Sequence, residues 1–342
     1  MNSPHTEPAV LLIQLRRLGD VLMLTPAIRA LRNSFPGARL DVLTEAPADE
    51  LLRSNPYVSN VLLLTKRGSA TTTLRLLGQL RRARYDFAID FNGLPSSALL
   101  CRASGARRTI GFAIAGRGLL YGQRVPLRPA GYSAQHKLDL LGPLGLNSTD
   151  CRLDFFVDES ERLWAKRFVS ELGLNAHDRL ITVSPVSRQP YKVWPPERFA
   201  TVADHLAAQQ ANKILFLYGP GERHFAEAVR QRMKAQTLTL DYPMLTLRQT
   251  RALFDLVHLH VGNDNGPAHF AIAAGTRTVT IFGRPHAANW TPHGNPVIAA
   301  LEYDPGCKSA CHFPKCRLEC LSGVSTDSVI AAAERLLKTA VP

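Results

Sequence analysis

Short apolar runs, each followed by an amphipathic stretch, recur along the whole chain, and this alternation constrains the fold more than any other feature. Val10–Leu15 (VLLIQL) is one such run, and after RRLGD comes Thr25–Phe35, with Ala27, Ile28, Leu31 and Phe35 at helical spacing. A continuous apolar run fits a strand covered on both faces, and the spacing that follows fits a helix lying on the sheet. The same reading places strands at Leu40–Leu43, Val61–Leu64, Phe87–Asp90 and Thr109–Phe112, and helices at Ala48–Ser54, Thr72–Arg84, Ser96–Ala103 and near Ala134–Leu144. After the polar stretch LGLNSTDCRLDFFVDES, strands resume at Leu180–Ser184, Ile214–Tyr218, Leu259–Gly262 and Thr278–Phe282. Helices alternate with them at Glu159–Leu172, Pro196–Ala208, Glu222–Met233, Pro267–Ala274 and Asp327–Leu337. The pattern predicts an α/β protein of two doubly wound parallel sheets. A length of 342 residues exceeds what one core usually supports, and a boundary near residue 155 gives domains of 1–155 and 156–342.

Composition narrows the class further. With 45% hydrophobic and 20% charged residues the chain is globular, which excludes fibrous and disordered classes. No apolar run approaches the roughly 20 residues of a membrane helix, and MNSPHTEPAV lacks the basic start and long apolar core of a signal peptide, so a cytosolic protein is expected. The net charge is +13, of which +9 falls on residues 1–150. Such a field favours an anionic partner, whether nucleic acid, an anionic membrane surface or a phosphorylated substrate. Aromatic residues are only 7% and no nucleic-acid-binding module is legible, which counts against the first of these.

Open parallel sheets bind ligands outside the carboxyl ends of their strands, so the loops after strands are where chemistry is expected. Arg16-Arg17-Leu18-Gly19-Asp20 follows the first strand and sets a carboxylate between two arginines and a helix start. Asp20 is either a helix-capping acid or a catalytic group. Ser184-Pro185-Val186-Ser187-Arg188-Gln189-Pro190-Tyr191-Lys192 follows a strand of the second half and leads into a helix opening on Pro196, as an anion cradle or a solvated surface loop; Trp194 reads as a packing plug. Gly262-Asn263-Asp264-Asn265-Gly266-Pro267-Ala268-His269 opens a helix of small residues, where the backbone can approach a pyrophosphate, or where an Asn/Asp/Gly turn merely caps the helix. Glu222, in Gly219-Pro220-Gly221-Glu222, is a ribose acceptor or a first-turn acid.

Several signatures are missing. There is no G-x-G-x-x-G after either leading strand, which weighs against a nucleotide-dependent oxidoreductase, and no GxxxxGK[ST], HExxH or G-x-S-x-G. No Asp-x-Asp occurs, so positive side chains and helix dipoles would have to neutralise a leaving phosphate.

Taken in order, LRRLGDVLMLTPAIRALRNSFPGARLDVLTE, YKVWPPERFA, YGPGE and GNDNGPAHFAIAAGTRTVTIFG resemble glycosyltransferase family 9, the lipopolysaccharide heptosyltransferases. The resemblance implies a GT-B fold: two Rossmann-like domains facing a central cleft, an acceptor-binding N-terminal lobe, a nucleotide-sugar-binding C-terminal lobe, and a last helix packed back on the first lobe. It implies inverting transfer without a metal or other cofactor, from ADP-L-glycero-D-manno-heptose to the inner core of lipopolysaccharide, or use of another nucleotide sugar or glycan acceptor. Asp20 then looks like the general base and Lys192 like the group that stabilises the departing diphosphate. Ser184, Ser187, Arg188, Glu222, Asp264, Asn265, Gly266, Pro267, Ala268 and His269 look like the donor pocket, and Arg16, Arg17 and Gly19 like acceptor contacts. Because the family's acceptor is an anionic lipid at the cytoplasmic face of the inner membrane, a peripheral location there is implied, and Arg107, Arg108, Arg117 and Arg124 join the candidates for acceptor binding.

Six cysteines are too few for a disulfide scaffold, yet Cys307, Cys311, Cys316 and Cys320 lie within 14 residues. Four thiols can hold zinc, although C-x3-C-x4-C-x3-C is not the usual C-x2-C pairing, and reduced thiols or a local disulfide are the alternatives.

Overall fold

The computed structural model describes residues 7–65, 70–175, 177–209, 211–308 and 310–339. The chain divides into two compact units, Met1–Phe156 and Val157–Pro342.

In the first unit β1 (Ala9–Ile13), α1 (Leu18–Ser34), β2 (Arg39–Thr44), β3 (Asn60–Leu63), α2 (Ala70–Arg82), β4 (Phe87–Asp90), α3 (Pro95–Ala103), β5 (Arg108–Phe112), β6 (Gln123–Val125) and α4 (Ser133–Asp139) follow in order. Among the described residues the strands form a six-stranded sheet, β3-β2-β1-β4-β5-β6, in which every pairing is parallel. The chain reverses its winding between β1 and β4, and the crevice at such a reversal is where doubly wound sheets take ligands. Leu11, Ile13, Leu43, Leu80, Tyr85 and Ala88 pack into the core on this sheet.

Helix α1 begins seven residues earlier than its apolar spacing predicts, so Gly19 and Asp20 lie in its first turn and not in a loop. It passes through Pro26, which has no N–H to give to the carbonyl of Leu22 one turn back. The Thr25 hydroxyl donates to that carbonyl instead, at 2.8 Å, so the helix continues with its acceptor satisfied. The helix expected at Ala48–Ser54 is a single 3-10 turn, Ala48–Leu51, and that expected near Ala134–Leu144 is α4 plus a 3-10 turn at Gly142–Leu144. At the end of the unit Arg29 of α1 pairs with Asp154 and donates to the Arg152 carbonyl at 2.9 Å, which ties the departing strand-like segment to the helix.

The second unit contains α5 (Glu159–Glu171), β7 (Arg179–Ser184), α6 (Pro196–Ala207), β8 (Asn212–Phe216), α7 (Arg223–Arg230), α8 (Leu247–Phe254), β9 (Leu259–Asn263), α9 (Gly266–Ala274), β10 (Thr278–Phe282), β11 (Ile298–Glu302), α10 (Glu319–Ser322) and α11 (Thr326–Lys338). Its sheet, again parallel, runs β11-β10-β9-β7-β8 among the described residues, with the reversal between β7 and β9. Trp194 is fully buried, as a plug, and its ring N–H donates to the Val324 carbonyl at 3.1 Å. The last helix, α11, buries Val329, Ala332, Ala333 and Leu336 in this unit's own core, packed on α6 and the sheet.

Candidate functional site

Each sheet carries a polar cluster at its point of reversal. In the second unit β7 ends at Ser184 and β9 at Asn263, and the loop carrying Lys192 returns between them. Lys192 forms an ion pair with Asp264, whose other oxygen lies 3.5 Å from Nε2 of His269. Asp264 is only 3% exposed, and burial by itself raises a carboxyl. Hydrogen bonding to His269 and the Lys192 charge outweigh that and hold Asp264 below its ordinary value, so it is a carboxylate. Trp290 completes the cluster, with the Lys192 ammonium 5.8 Å from its ring centre and the His269 ring at 6.1 Å. Nδ1 of His269 is buried with no hydrogen-bond partner among the described residues.

Asn265 is the keystone of the GNDNGPAH turn. Its carbonyl oxygen accepts from the Ala268 N–H at 3.1 Å, capping α9, while its amide donates to the Ser184 hydroxyl at 3.0 Å and the Val186 carbonyl at 2.9 Å. The next Asn, Asn263, accepts from the Trp194 N–H at 3.1 Å. These bonds alter the sequence reading of the anion cradle. Pro267 has no N–H and that of Ala268 is taken, which leaves Gly266 as the first-turn donor that no described group takes up. Ser184 is fully buried with its hydroxyl spent on Asn265, so it is part of the frame and not a group facing a ligand. Ser187 accepts from the Gln189 N–H at 3.2 Å, Arg188 is exposed, and Glu222 accepts from the Gly219 N–H at 3.0 Å, shaping its own turn. Gly283, at the end of β10, lets the Lys192 loop lie close, since a Cβ there would stand 2.3 Å from the Tyr191 carbonyl oxygen.

In the first unit the loop after β1 is strained. Arg16 and Arg17 both have positive φ, 62° and 45°, a conformation that costs a side-chain-bearing residue about 1–3 kcal/mol and gathers at functional sites. Arg17 stands at the N-cap of α1 without a side-chain cap, and Asp20 follows in the first turn, half-buried. Among the described residues Asp20 makes no hydrogen bond and no ion pair, so the capping role open to it is not filled. Beside it lies a buried network. The Gln14 amide donates to Asn92 Oδ1 at 2.9 Å and to the Leu15 carbonyl at 3.1 Å, and the Lys137 ammonium donates to Gln14 Oε1 and, at 3.4 Å, to the Phe91 carbonyl. Asp90 accepts from the Ser97 hydroxyl at 2.7 Å, the Tyr121 hydroxyl at 2.6 Å and the N–H groups of Asn92 and Gly93. Burial pushes the Asp90 carboxyl up while those four donors favour its charged form.

Sequence reasoning passed over Gln14, Asp90, Asn92, Tyr121, Lys137 and Trp290. The signal for Lys137 is its place among Ala134, Leu138 and Leu141, the i, i+3, i+4, i+7 positions of an apolar stripe. The arginines separate: Arg107 and Arg108 lie at the amino end of β5, away from the carboxyl edge that carries Arg16 and Arg17, where Arg107 meets Asp86 at 3.4 Å and Arg108 stacks over Phe87. They do not belong with the acceptor candidates at that edge. Arg117 follows β5 at the carboxyl edge, and Arg124 lies exposed on β6.

The four clustered cysteines line one cavity of about 340 Å³ with Tyr191, Arg284 and Lys308. All are free, and among the described residues no three His, Cys, Asp or Glu side chains are grouped so as to hold a metal ion, so the zinc reading finds no support.

Two doubly wound parallel sheets, each with a polar cluster at its reversal, define an α/β enzyme of the GT-B class. The family model of glycosyltransferase family 9 (heptosyltransferase) matches residues 73–321, and the chain belongs to that family. Lipopolysaccharide heptosyltransferase 3 of Escherichia coli K12 is 26% identical over 347 residues, covering 96% of this chain and 98% of the relative. A glycosyltransferase family 9 structure from Veillonella parvula superposes with a TM-score of 0.84 at 24% identity, over 98% of both chains. The structure of Escherichia coli ADP-heptose lipopolysaccharide heptosyltransferase II does so with a TM-score of 0.77 at 20% identity, over 96% of this chain and 98% of the other. The protein is a glycosyltransferase of the lipopolysaccharide heptosyltransferase family.

Proposed function

We propose that the enzyme transfers heptose from ADP-L-glycero-D-manno-heptose to the inner core of lipopolysaccharide, with inversion at the anomeric carbon and without a metal. The donor and acceptor classes are supported by the names of the relatives, two of which pair heptose transfer with lipopolysaccharide and one of which specifies ADP-heptose. The observation that carries the mechanism is Asp20: a half-buried carboxylate with no hydrogen-bond partner among the described residues, held at the carboxyl edge of β1 by a strained backbone. In this reading Asp20 takes the proton from an acceptor hydroxyl as its oxygen bonds to the anomeric carbon, and the bond from that carbon to the diphosphate breaks from the opposite face. ADP leaves with the bonding electron pair.

Charge developing on that leaving group meets Lys192 and the Gly266 N–H at the start of α9, with Ser187 and Arg188 in the same loop. His269 and Trp290 border the same point, and Glu222 serves the ribose. Lys192 comes to this task already paired with Asp264, which fixes its ammonium in place while offsetting part of its charge. Arg16, Arg17 and Gly19 frame the acceptor, an anionic glycolipid to which the basic first half is complementary, met at the cytoplasmic face of the inner membrane. Among the described residues no helix is long and apolar enough to cross a membrane.

A thermal-shift panel of ADP, GDP, UDP and NADH tests the donor class, because a ligand at a hundredfold excess over its Kd stabilises the native state by about 2.7 kcal/mol. Selective stabilisation by ADP is expected. A preference for UDP or GDP changes the sugar donor, and a response to NADH alone overturns the reading.

A further inference from the structure

The stretch from Phe91 to Leu138 contains no Asp or Glu, yet holds six arginines and Lys137. Cations in so long an acid-free run lack local counterions, and where they gather the surface favours an anion. Arg107 and Arg108 stand at the amino end of β5, whereas Arg117 lies in the 3-10 turn before β6, Arg124 in β6 and Arg128 just beyond it. Arg124 is exposed, and Nε of Arg117 finds no hydrogen-bond partner among the described residues. Asp139 of α4 reaches this corner and is spent on Arg128, at 2.6 Å.

The same corner holds apolar side chains out in water. The turn Arg117–Leu120 is fixed at the end of β5: the Gly118 N–H donates to the Ile114 carbonyl at 2.8 Å, and a Cβ on Gly118 would stand 3.5 Å from the Phe112 carbonyl oxygen. Leu119 on that turn is 77% exposed, the most of any large apolar residue among the described ones. The chain leaves β6 alongside, since the Ala113 N–H donates to the Val125 carbonyl at 2.8 Å, and Leu127, two residues beyond, is 46% exposed. Ala113, Ala115, Pro126 and Pro129 are exposed around them. Single exposed leucines are ordinary, but two on adjacent loops, ringed by apolar neighbours and cations, mark a surface that something covers. In the order β3-β2-β1-β4-β5-β6 this corner lies just beyond β4, on the same carboxyl edge as the crevice where Asp20 stands.

We propose that the loops carrying Leu119 and Leu127 are a membrane-docking surface: the two leucines enter an anionic bilayer at headgroup depth, and Arg117 and Arg124 meet lipid phosphates beside them. This deepens the reading of the acceptor as an anionic glycolipid, and its use in the reaction rests on that reading, because docking here sets the crevice of the first unit at the level of the glycolipid's headgroup. The chemistry of the patch argues against other occupants. A second copy would bring cations against cations. A nucleic acid would satisfy the arginines and leave the leucines in water, and Phe112, Tyr121 and Tyr132, the aromatic residues of this corner on which bases could stack, are buried.

The test is partition of the full chain onto vesicles that contain no acceptor, by flotation with phosphatidylcholine alone and with about 30% phosphatidylglycerol added. Wild type should float with the anionic vesicles and not with the neutral ones, and bind less as salt is raised. Leu119→Asp combined with Leu127→Asp should lower the partition coefficient by at least about tenfold, since two apolar anchors are lost and two anions gained. Arg124→Gln should lower it by about fivefold. Leu163→Asp, at an exposed leucine of α5 in the second unit, should leave it unchanged. The double leucine variant should transfer heptose to a delipidated core acceptor at the wild-type rate, and more slowly to the same acceptor embedded in vesicles. Wild type that stays off anionic vesicles, or a double leucine variant that floats as wild type does, overturns the proposal. A wild-type dimer in sedimentation that the double leucine variant abolishes makes the patch a subunit contact and overturns it as well. Wild type that floats through its leucines but heptosylates neither acceptor upholds the docking surface and overturns the functional reading instead.

Discussion

Replacing Asp264 with Asn removes the anion that, alone among the described residues, binds both Lys192 and His269, while leaving the shape of the site intact. Asp264 is 3% exposed and the Lys192 side chain 17% exposed, so the pair is largely out of water. Removing one member of a buried pair costs about 3–5 kcal/mol, because the other is left charged and unpartnered. Lys192 retains some solvent and Asn keeps an oxygen acceptor, which places the expectation at the lower end, about 3 kcal/mol. For a unit of this size that lowers Tm by about 6–12 °C, read by calorimetry at pH 7. The pH dependence follows from the sign of the shift. The folded Asp264 lies below its ordinary value, so its contribution is complete above the unfolded value of about 4 and is lost as pH falls through the folded value. The gap between wild type and Asp264→Asn should therefore be constant from pH 7 to about 5 and narrow at lower pH. A Tm within about 1 °C of wild type at pH 7, or a gap that widens on acidification, refutes the reasoning.

Lys192→Ala should weaken ADP binding by about 10- to 100-fold in a calorimetric titration, as expected for one charged hydrogen bond, and because it leaves the buried Asp264 without its partner it should also lower Tm as Asp264→Asn does; equal affinity would remove Lys192 from the phosphate site. Asn265→Ala loses the α9 cap and the bridge to Ser184 and Val186, and should destabilise the second unit by about 1–2 kcal/mol in urea, with ADP affinity falling as well. Gly283→Ala sets a methyl group against the Tyr191 carbonyl, so it should shift the Lys192 loop and weaken ADP binding without any charge having changed, and unaltered affinity would show that the loop is free to move.

The elements that sequence reasoning finds are those whose burial is written in apolar runs. β1, β2, β7 and β10 are buried along almost their whole length, and Val, Ile, Leu or Phe fill half or more of the positions in each. What it misses lacks that signature: β6 is Gln-Arg-Val at the sheet's edge, and α8, L-R-Q-T-R-A-L-F, carries too little apolar length to be seen before its capping box at Thr246. Helix α1 is foreshortened because Gly19 argues for a loop, and only the positive φ of Arg16 and Arg17 turns the chain soon enough for a helix to start at Leu18. At the site, residue types are legible but allegiances are not. Asn265 reads as a donor-pocket residue with the cap as the alternative, and in the structure its side chain caps α9 and braces Ser184. Lys137 is invisible to any argument that sends lysines to the surface, since its burial depends on Gln14, 123 residues away in sequence.

Direct assay of transfer tests the central claim, with ADP-heptose and a lipopolysaccharide core acceptor lacking the terminal heptose. Wild type should release ADP in step with heptosylated product of inverted anomeric configuration, and Asp20→Ala should be slower by about 10²- to 10⁴-fold while still binding ADP. Wild-type inactivity with that donor, retention of configuration, or an Asp20→Ala rate within a few-fold of wild type would contradict the account.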